Sequence, residues 1–450
     1  MTSAANKIQY YFFLGIGGIG MSALARYFKA KGYAVAGYDK TRTALTDTLV
    51  SEGIDVIYED ERFLVDPKFF ESKACELVYT PAIPSDLGLF GFFKSKGFIP
   101  KKRAEILGQI SRENDTLAIA GTHGKTTTTA ILAHLMRVAA VDCTAFIGGI
   151  ANNFNSNYII GTAPVMVVEA DEYDRSFLQL DPLHAVINSM DADHLDIYGS
   201  ADKLVDGFKE FSKRLKGHLV AKLGLPIESD FTYSLEGKAD FFISDFEISG
   251  ARSSFQIHFP KGEKVMVSYP YPGIHNVENA LAASSLAYLY GLSPESIALG
   301  LSTFTGVRRR FDRWDIGDTI YIDDYAHHPT EIEALIHSVR KYYPGKKLTL
   351  IFQPHLFSRT RDFMEEFASS LSMADKLYLL PIYPARELPI EGITSQVLAG
   401  KIKGVNVEVK SPEQILELID KSNSEVLVTL GAGDIDKLVK KIKELLNKNS

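Results

Sequence analysis

Two glycine-bearing loops carry the most specific chemistry in this chain. The first is Gly15-Ile-Gly17-Gly18-Ile-Gly20, directly after the apolar run Tyr10–Leu14 and ahead of a helical pattern. Glycines there let the backbone turn tightly and approach a diphosphate, whose charge then sits on a helix N-terminus. Asp39 closes the next apolar run, at the spacing where a dinucleotide fingerprint keeps its ribose acceptor. This motif alone leaves open whether the ligand is NAD or another diphosphate. The second loop is Gly121-Thr122-His123-Gly124-Lys125-Thr126-Thr127, again between an apolar strand and a helix. Its backbone N–H groups suit phosphates, Lys125 suits the terminal phosphate oxygens, and a threonine hydroxyl suits Mg²⁺. The strict phosphate-loop pattern has glycine where this chain has Ile119, so the Gly-Lys-Thr core carries the reading.

Acids, histidines and arginines gather at the ends of other apolar runs. Glu169-Ala-Asp171-Glu172 follows Val165–Val168, and Asp191-Ala-Asp193-His194 follows Ala185–Asn188. Consecutive strand C-termini of a parallel sheet share one side with the phosphate loop, so these groups are expected at the metal and the terminal phosphate. Mg²⁺ prefers oxygen ligands, which favours Thr126 and Glu169 over His194 as its holders. His275 and Asn279 stand four residues apart and hence on one helical face, where they can meet a base or simply cover a surface helix. Arg308-Arg309-Arg310 precedes Asp323-Asp324-Tyr325-Ala326-His327-His328-Pro329. An arginine at a domain junction can bring positive charge to a transferring phosphoryl group, and a solvated hinge is the plainer alternative. Gln353-Pro-His355 followed by Arg359 sets a guanidinium fork beside a histidine, a pairing suited to a small carboxylate.

Positioning these groups requires alternating strands and helices. Tyr10–Leu14, Ala34–Tyr38 and Leu77–Thr80 read as one set of parallel strands. Leu117–Ala120, Val165–Glu169 and Ala185–Asn188 read as a second set. Tyr321–Asp324, Leu348–Phe352, Lys376–Leu380 and Val426–Leu430 read as a third. Helical patterns such as Pro329–Tyr342 and Phe363–Leu371 intervene, so the fold class is α/β with mostly parallel sheets. Residues 230–272 read as an insertion or an antiparallel edge. Boundaries fall near Leu107 and near Arg308–Asp312, dividing the chain into 1–107, 108–311 and 312–450.

Composition limits the partners. With 450 residues, 49 Lys and Arg against 56 Asp and Glu, and a net charge of −7, the chain has no basic surplus for a nucleic-acid backbone. The two cysteines, Cys75 and Cys143, exclude a disulfide scaffold and fit a reducing cytoplasm. The uncharged stretch from Tyr10 to Ala25 is broken by four glycines and is too short for a membrane helix, so no membrane association is expected. Oligomeric state is not legible.

The order of these motifs, completed by Met21-Ser22, Arg309-Arg310-Phe311-Asp312, Thr330-Glu331 and Leu430-Gly-Ala-Gly-Asp-Ile435, resembles the Mur ligase family over nearly the whole chain. The resemblance implies three domains: an N-terminal Rossmann-like domain for a UDP-sugar, a central phosphate-loop ATPase, and a C-terminal Rossmann-like domain for an amino acid. It implies ATP and Mg²⁺ as cofactors, with UDP-N-acetylmuramate and L-alanine as substrates. On this pattern Gly15, Gly17, Gly18, Gly20 and Ser22 hold the diphosphate, with Asp39 beside them. Lys125 and Thr126 grip ATP and Mg²⁺, with Glu169 and His194 at the metal. His275 and Asn279 face the adenine, Arg310 the phosphates and Asp324 the ribose. Tyr325, His327, His355 and Arg359 surround the amino acid. The implied reaction activates a lactyl carboxylate as an acyl phosphate, which the amine then attacks. His194 or His327 takes the proton, and closure of the third domain keeps water out. The alternatives are a relative that attaches a preformed tripeptide to the same sugar nucleotide and, in another class, an NAD-dependent oxidoreductase.

Overall fold

Continuous apolar runs become strands buried on both faces, as a parallel sheet covered by helices requires. The computed structural model describes residues 8–84, 86–191, 195–385, 387–419 and 424–449. The chain forms two compact units. The first comprises residues 1–243, 257–265 and 280–300; the second comprises 244–256, 266–279 and 301–450. Residues 244–256 and 266–279, expected with the middle of the chain, therefore belong to the second unit.

The first unit opens with a five-stranded, wholly parallel sheet in the order Asp55–Ile57, Ala34–Tyr38, Tyr10–Leu14, Cys75–Tyr79, Lys101–Lys102. Phe12, Phe13 and Leu14 of its central strand are buried. A ten-stranded sheet follows, in the order Lys264–Tyr269, Arg252–His258, Phe241–Ser249, Phe231–Ser234, Leu219–Lys222, His184–Ile187, Asp115–Ala120, Val165–Ala170, Thr144–Ala151, Ser156–Ile159. The segment expected as an insertion or edge is thus the edge. Its three strands pass from one unit to the other along their length, and Phe241–Ser249 joins Phe231–Ser234 in parallel. Asp115–Ala120 pairs in parallel with Val165–Ala170 on one side and His184–Ile187 on the other. That arrangement collects the strand ends the sequence marked.

The second unit is built on a six-stranded sheet in the order Asp312–Ile316, Thr319–Asp324, Val426–Leu430, Leu348–Phe352, Lys376–Leu379, Asn406–Val409. Only the hairpin between the first two strands is antiparallel. The helix Pro329–Tyr342 begins where the sequence places it. His328 caps it, Pro329 occupies its first turn, and Glu331 reaches back to the His327 and His328 N–H groups. The helix Arg103–Arg112 runs through Leu107, near which a boundary was expected. The helix expected over Phe363–Leu371 is Met364–Leu371, with Phe363 at its N-cap, and a short helix that the sequence reading did not mark, Phe357–Asp362, precedes it. Among the described residues no helix is long and apolar enough to cross a membrane.

Candidate active site

The strand Asp115–Ala120 ends at Gly121, whose φ of +129° only glycine adopts at ease; a Cβ there would also press on the Ser189 nitrogen at 2.9 Å. The loop is laced to the end of the adjacent strand. Thr122 N–H donates to the Ser189 carbonyl at 3.2 Å, and His123 N–H donates to Ser189 Oγ at 2.8 Å. Thr122 Oγ1 accepts from Asp191 N–H at 3.1 Å, and His123 Nε2 lies 3.3 Å from Asp191 Oδ2. Gly124 then turns the chain into the helix Lys125–Val138, in whose first turn Thr126 and Thr127 are buried.

Lys125 Nζ donates to the Gly121 carbonyl at 2.7 Å and to both Glu172 oxygens, at 2.9 and 2.7 Å. Burial alone would lower the Lys125 pKa. Glu172, Asp171 and Glu169 outweigh it and hold the ammonium above its ordinary value. Thr126 Oγ1 donates to Glu169 Oε2 at 3.3 Å, while the Gly148 N–H donates to the other Glu169 oxygen. Burial raises the Glu169 pKa, against the pull of the Gly148 N–H and the Lys125 charge. His194, the other expected metal-site residue, lies outside the described residues.

Glu169 also lines a cavity of about 360 Å³ together with Gly18, Gly20, Arg103, Gly148 and Asp171. The first glycine loop therefore opens onto the carboxylate that faces the phosphate loop. Gly15 and Gly17 belong to the same loop, where Gly17 N–H donates to Asp39 Oδ2 at 2.8 Å. The other Asp39 oxygen accepts from Thr41 N–H at 3.0 Å, so this carboxylate braces the loop. Ser22, expected at the diphosphate, is fully buried, donating to the Ile19 carbonyl at 2.9 Å and accepting from Asn157 at 3.1 Å. Its place in the first turn of a helix, one face of which is core, explains the difference. Sequence reading missed Arg103, Gly148 and the pairing of Glu172. Glu172 had a signal, its place in the acidic motif; Arg103 and Gly148 had none.

Models of this architecture's known families match three stretches of the chain. These are described as Mur ligase family, catalytic domain (residues 10–114), Mur ligase middle domain (119–287), and Mur ligase, glutamate ligase domain (309–433). Two curated relatives, each called UDP-N-acetylmuramate–L-alanine ligase, come from Christiangramia forsetii and Porphyromonas gingivalis. The first is 48% identical over 445 residues, covering 98% of each chain. The second is 46% identical over 448 residues, covering 97% of this chain and 98% of its own. The chain belongs to the Mur ligase family.

Among solved structures, the UDP-N-acetylmuramate-alanine ligase of Thermotoga maritima superposes with a TM-score of 0.84 at 26% identity, covering 98% of this chain and 100% of its own. A murein peptide ligase of Psychrobacter arcticus shares the fold at a TM-score of 0.70 and 22% identity, covering 98% and 99%. This Mur ligase has the family's three-domain α/β fold with mostly parallel sheets. The family models meet between residues 114 and 119, past the boundary expected at Leu107.

In the second unit of this Mur ligase, the arginine run separates into roles. Arg309 donates to the Gly431 carbonyl at 2.5 Å and its Nε lies 3.5 Å from the buried Asp323, which ties it to the sheet. The Arg310 guanidinium lies 4.9 Å from the centroid of the Tyr325 ring. Arg309 and Phe311 have φ of +60° and +49°, so the backbone is bent on both sides of Arg310. Asp324 accepts from the Phe311 N–H at 2.6 Å and the Ala326 N–H at 2.7 Å. Burial pushes its carboxyl up to about 6, opposed by the Arg310 charge and those two N–H groups. His275 shares a hydrogen bond with Ser338 Oγ at 3.1 Å, and its ring lies 6.0 Å from that of Phe311. Burial pushes it down to about 4. Asn279, one helical turn on, is buried beside Asn276.

The four residues expected around the amino acid come together. The Tyr325 and His327 rings are 5.3 Å apart, and those of His327 and His355 are 6.2 Å apart. Burial pushes both histidines down to about 4, and the Arg359 charge pulls each the same way. His327 Nδ1 lies 3.0 Å from the Tyr325 carbonyl, which can only accept. The proton of neutral His327 therefore sits on Nδ1, and Nε2 carries the lone pair. Tyr383, which no motif marked, stacks on His355 at 5.7 Å.

Proposed function

We propose that this Mur ligase joins L-alanine to the lactyl carboxylate of UDP-N-acetylmuramate at the expense of ATP, forming ADP and phosphate in peptidoglycan precursor synthesis. One observation carries the reading: Glu169 stands between the hydroxyl of Thr126 on the phosphate loop and the cavity that Gly18 and Gly20 open, so nucleotide and acid converge on one carboxylate. The names of the relatives described above agree with it.

A carboxylate resists amines because oxide is a poor leaving group. Transfer of the terminal phosphoryl group of ATP to a lactyl oxygen gives an acyl phosphate and ADP. The alanine amine then attacks the acyl carbon and expels phosphate. Lys125 and Arg310 offset the charge on the group in flight, a role worth several kcal/mol in sites of this kind. Thr126 and Glu169 offer only oxygen donors and fit Mg²⁺, which supplies charge neutralisation when bound. Gly121 to Thr127 take the phosphates, His275 and Asn279 the adenine, and Asp324 the ribose. Gly18 and Gly20 take the sugar diphosphate. Tyr325, His327, His355 and Arg359 hold alanine, and His327 Nε2 is the acceptor for the ammonium proton.

Phosphate release with UDP-N-acetylmuramate, Mg²⁺ and a panel of amino acids tests the proposal. Release is expected to depend on alanine. No release with alanine, or faster release with the free preformed tripeptide as amine donor, would sink it.

A further inference from the structure

An ammonium group has three N–H bonds, and every one on Lys125 already has an acceptor: the Gly121 carbonyl at 2.7 Å and the two Glu172 oxygens at 2.7 and 2.9 Å. Glu172 is fully buried, where a carboxylate persists only with an opposite charge and hydrogen bonds around it. Its backbone is fixed as well, because the Tyr198 hydroxyl donates to its carbonyl at 2.7 Å and the Arg175 N–H does so at 3.0 Å. Glu169 is engaged with Thr126 and Gly148 instead, so two acids of one motif serve different partners. A lysine bound in this way reaches a phosphate only by giving up an acceptor.

We propose that Glu172 is a positioning residue that keeps Lys125 folded onto its own loop and yields it to the phosphates of an incoming nucleotide. The inference rests on the reading of that loop as the triphosphate site. Glu172 competes with the nucleotide for the lysine and, during turnover, sets the direction in which the lysine points. Removing its charge while keeping its shape should therefore tighten nucleotide binding and slow the reaction. Loss of a direct nucleotide ligand would weaken binding, and a purely structural role would move neither quantity in opposite senses.

The test is Glu172→Gln in the full chain, read by calorimetry with Mg-ADP and by alanine-dependent phosphate release. Mg-ADP affinity is expected to rise about five- to tenfold, the size of one exchanged charge-assisted hydrogen bond, while kcat falls about tenfold or more. In a Lys125→Met background the same substitution is expected to change Mg-ADP affinity by less than about twofold, since the coupled partner is gone. Glu172→Asp keeps the charge but is one methylene shorter. It should shift both quantities the same way by a smaller factor, and it serves as the test if the glutamine variant does not fold. Unchanged or weaker Mg-ADP affinity in Glu172→Gln, or an equal shift without Lys125, overturns the inference. An active wild type with a dead Lys125→Met variant and a silent Glu172→Gln variant overturns Glu172 alone. A wild type with no alanine-dependent phosphate release overturns the functional reading itself.

Discussion

Replacing Lys125 by methionine leaves Glu172 fully buried without the charge that compensates it. Stranding one half of a buried pair costs about 3–5 kcal/mol, more than the pair itself is worth. Lys125→Met is thus expected to lose ligation and to melt several degrees lower. Adding Glu172→Gln should restore most of the melting temperature and none of the activity; an unrestored melting temperature would mean the pair is not compensated as described. Asp324 supports a second prediction. Its carboxyl is pushed up to about 6 by burial, above the unfolded value near 4. Between those values the folded protein holds the proton and the unfolded chain does not, so this group's unfavourable contribution to stability, full above pH 6, is relieved as pH falls toward 4. With Asp324 as the proposed ribose acceptor, the charge on that acceptor is lost over the same window. Nucleotide KM should rise as pH drops through 6 in the wild type. Asp324→Asn should show a higher KM overall and, once the nucleotide's own titration is subtracted by comparing the two curves, no such limb.

Strand ends, more than strands, decide where these residues meet, and they were unevenly legible. Tyr10–Leu14, Ala34–Tyr38, Leu348–Phe352 and Val426–Leu430 coincide with the runs read from sequence, because each is a short uninterrupted apolar segment inside a parallel sheet. Thr144–Ala151 was not seen, since Gly148 and Gly149 interrupt its pattern. That strand nevertheless supplies the N–H that fixes Glu169. The acids of the Glu169 motif were legible by type, but their division of labour depends on burial and on which neighbour each reaches. The arginine run was ambiguous for the same reason: Gly431 lies far along the chain from Arg309, and only the fold, which brings it and Asp323 to that guanidinium, identifies Arg309 as the tether. Gly148→Ala isolates this element's contribution. A Cβ there would lie 2.5 Å from Glu169 Oε2, so the carboxylate must swing away. The expected result is a higher Mg²⁺ requirement and a kcat lowered about tenfold or more, as for other displaced outer-shell partners of a metal ligand. An unchanged Mg²⁺ dependence would show that Glu169 does not hold the metal.

At the level of the whole molecule, the three-domain plan was legible because each sheet brings its own set of apolar runs. The expected joint at Leu107 lies within a helix, and residues 244–256 and 266–279 pack with the second unit because packing follows surface burial and not chain order. What each unit contributes can be separated kinetically. Arg359 belongs to the second unit with His327 and His355, whose titration its charge already biases. Gly20 belongs to the first unit, where a Cβ would fall 2.5 Å from an Arg103 guanidinium nitrogen at the wall of the cavity. Lysine in place of Arg359 keeps the charge but loses the planar fork that grips a carboxylate. Arg359→Lys should raise the alanine KM about tenfold, with the UDP-N-acetylmuramate KM within about twofold, since one bidentate contact is worth roughly that factor. Gly20→Val should do the reverse, because it displaces Arg103 and narrows the cavity without touching the histidines. Steady-state kinetics with each substrate varied in turn decides the matter: if both variants raise the same KM, the assignment of acid to the first unit and amine to the second is wrong.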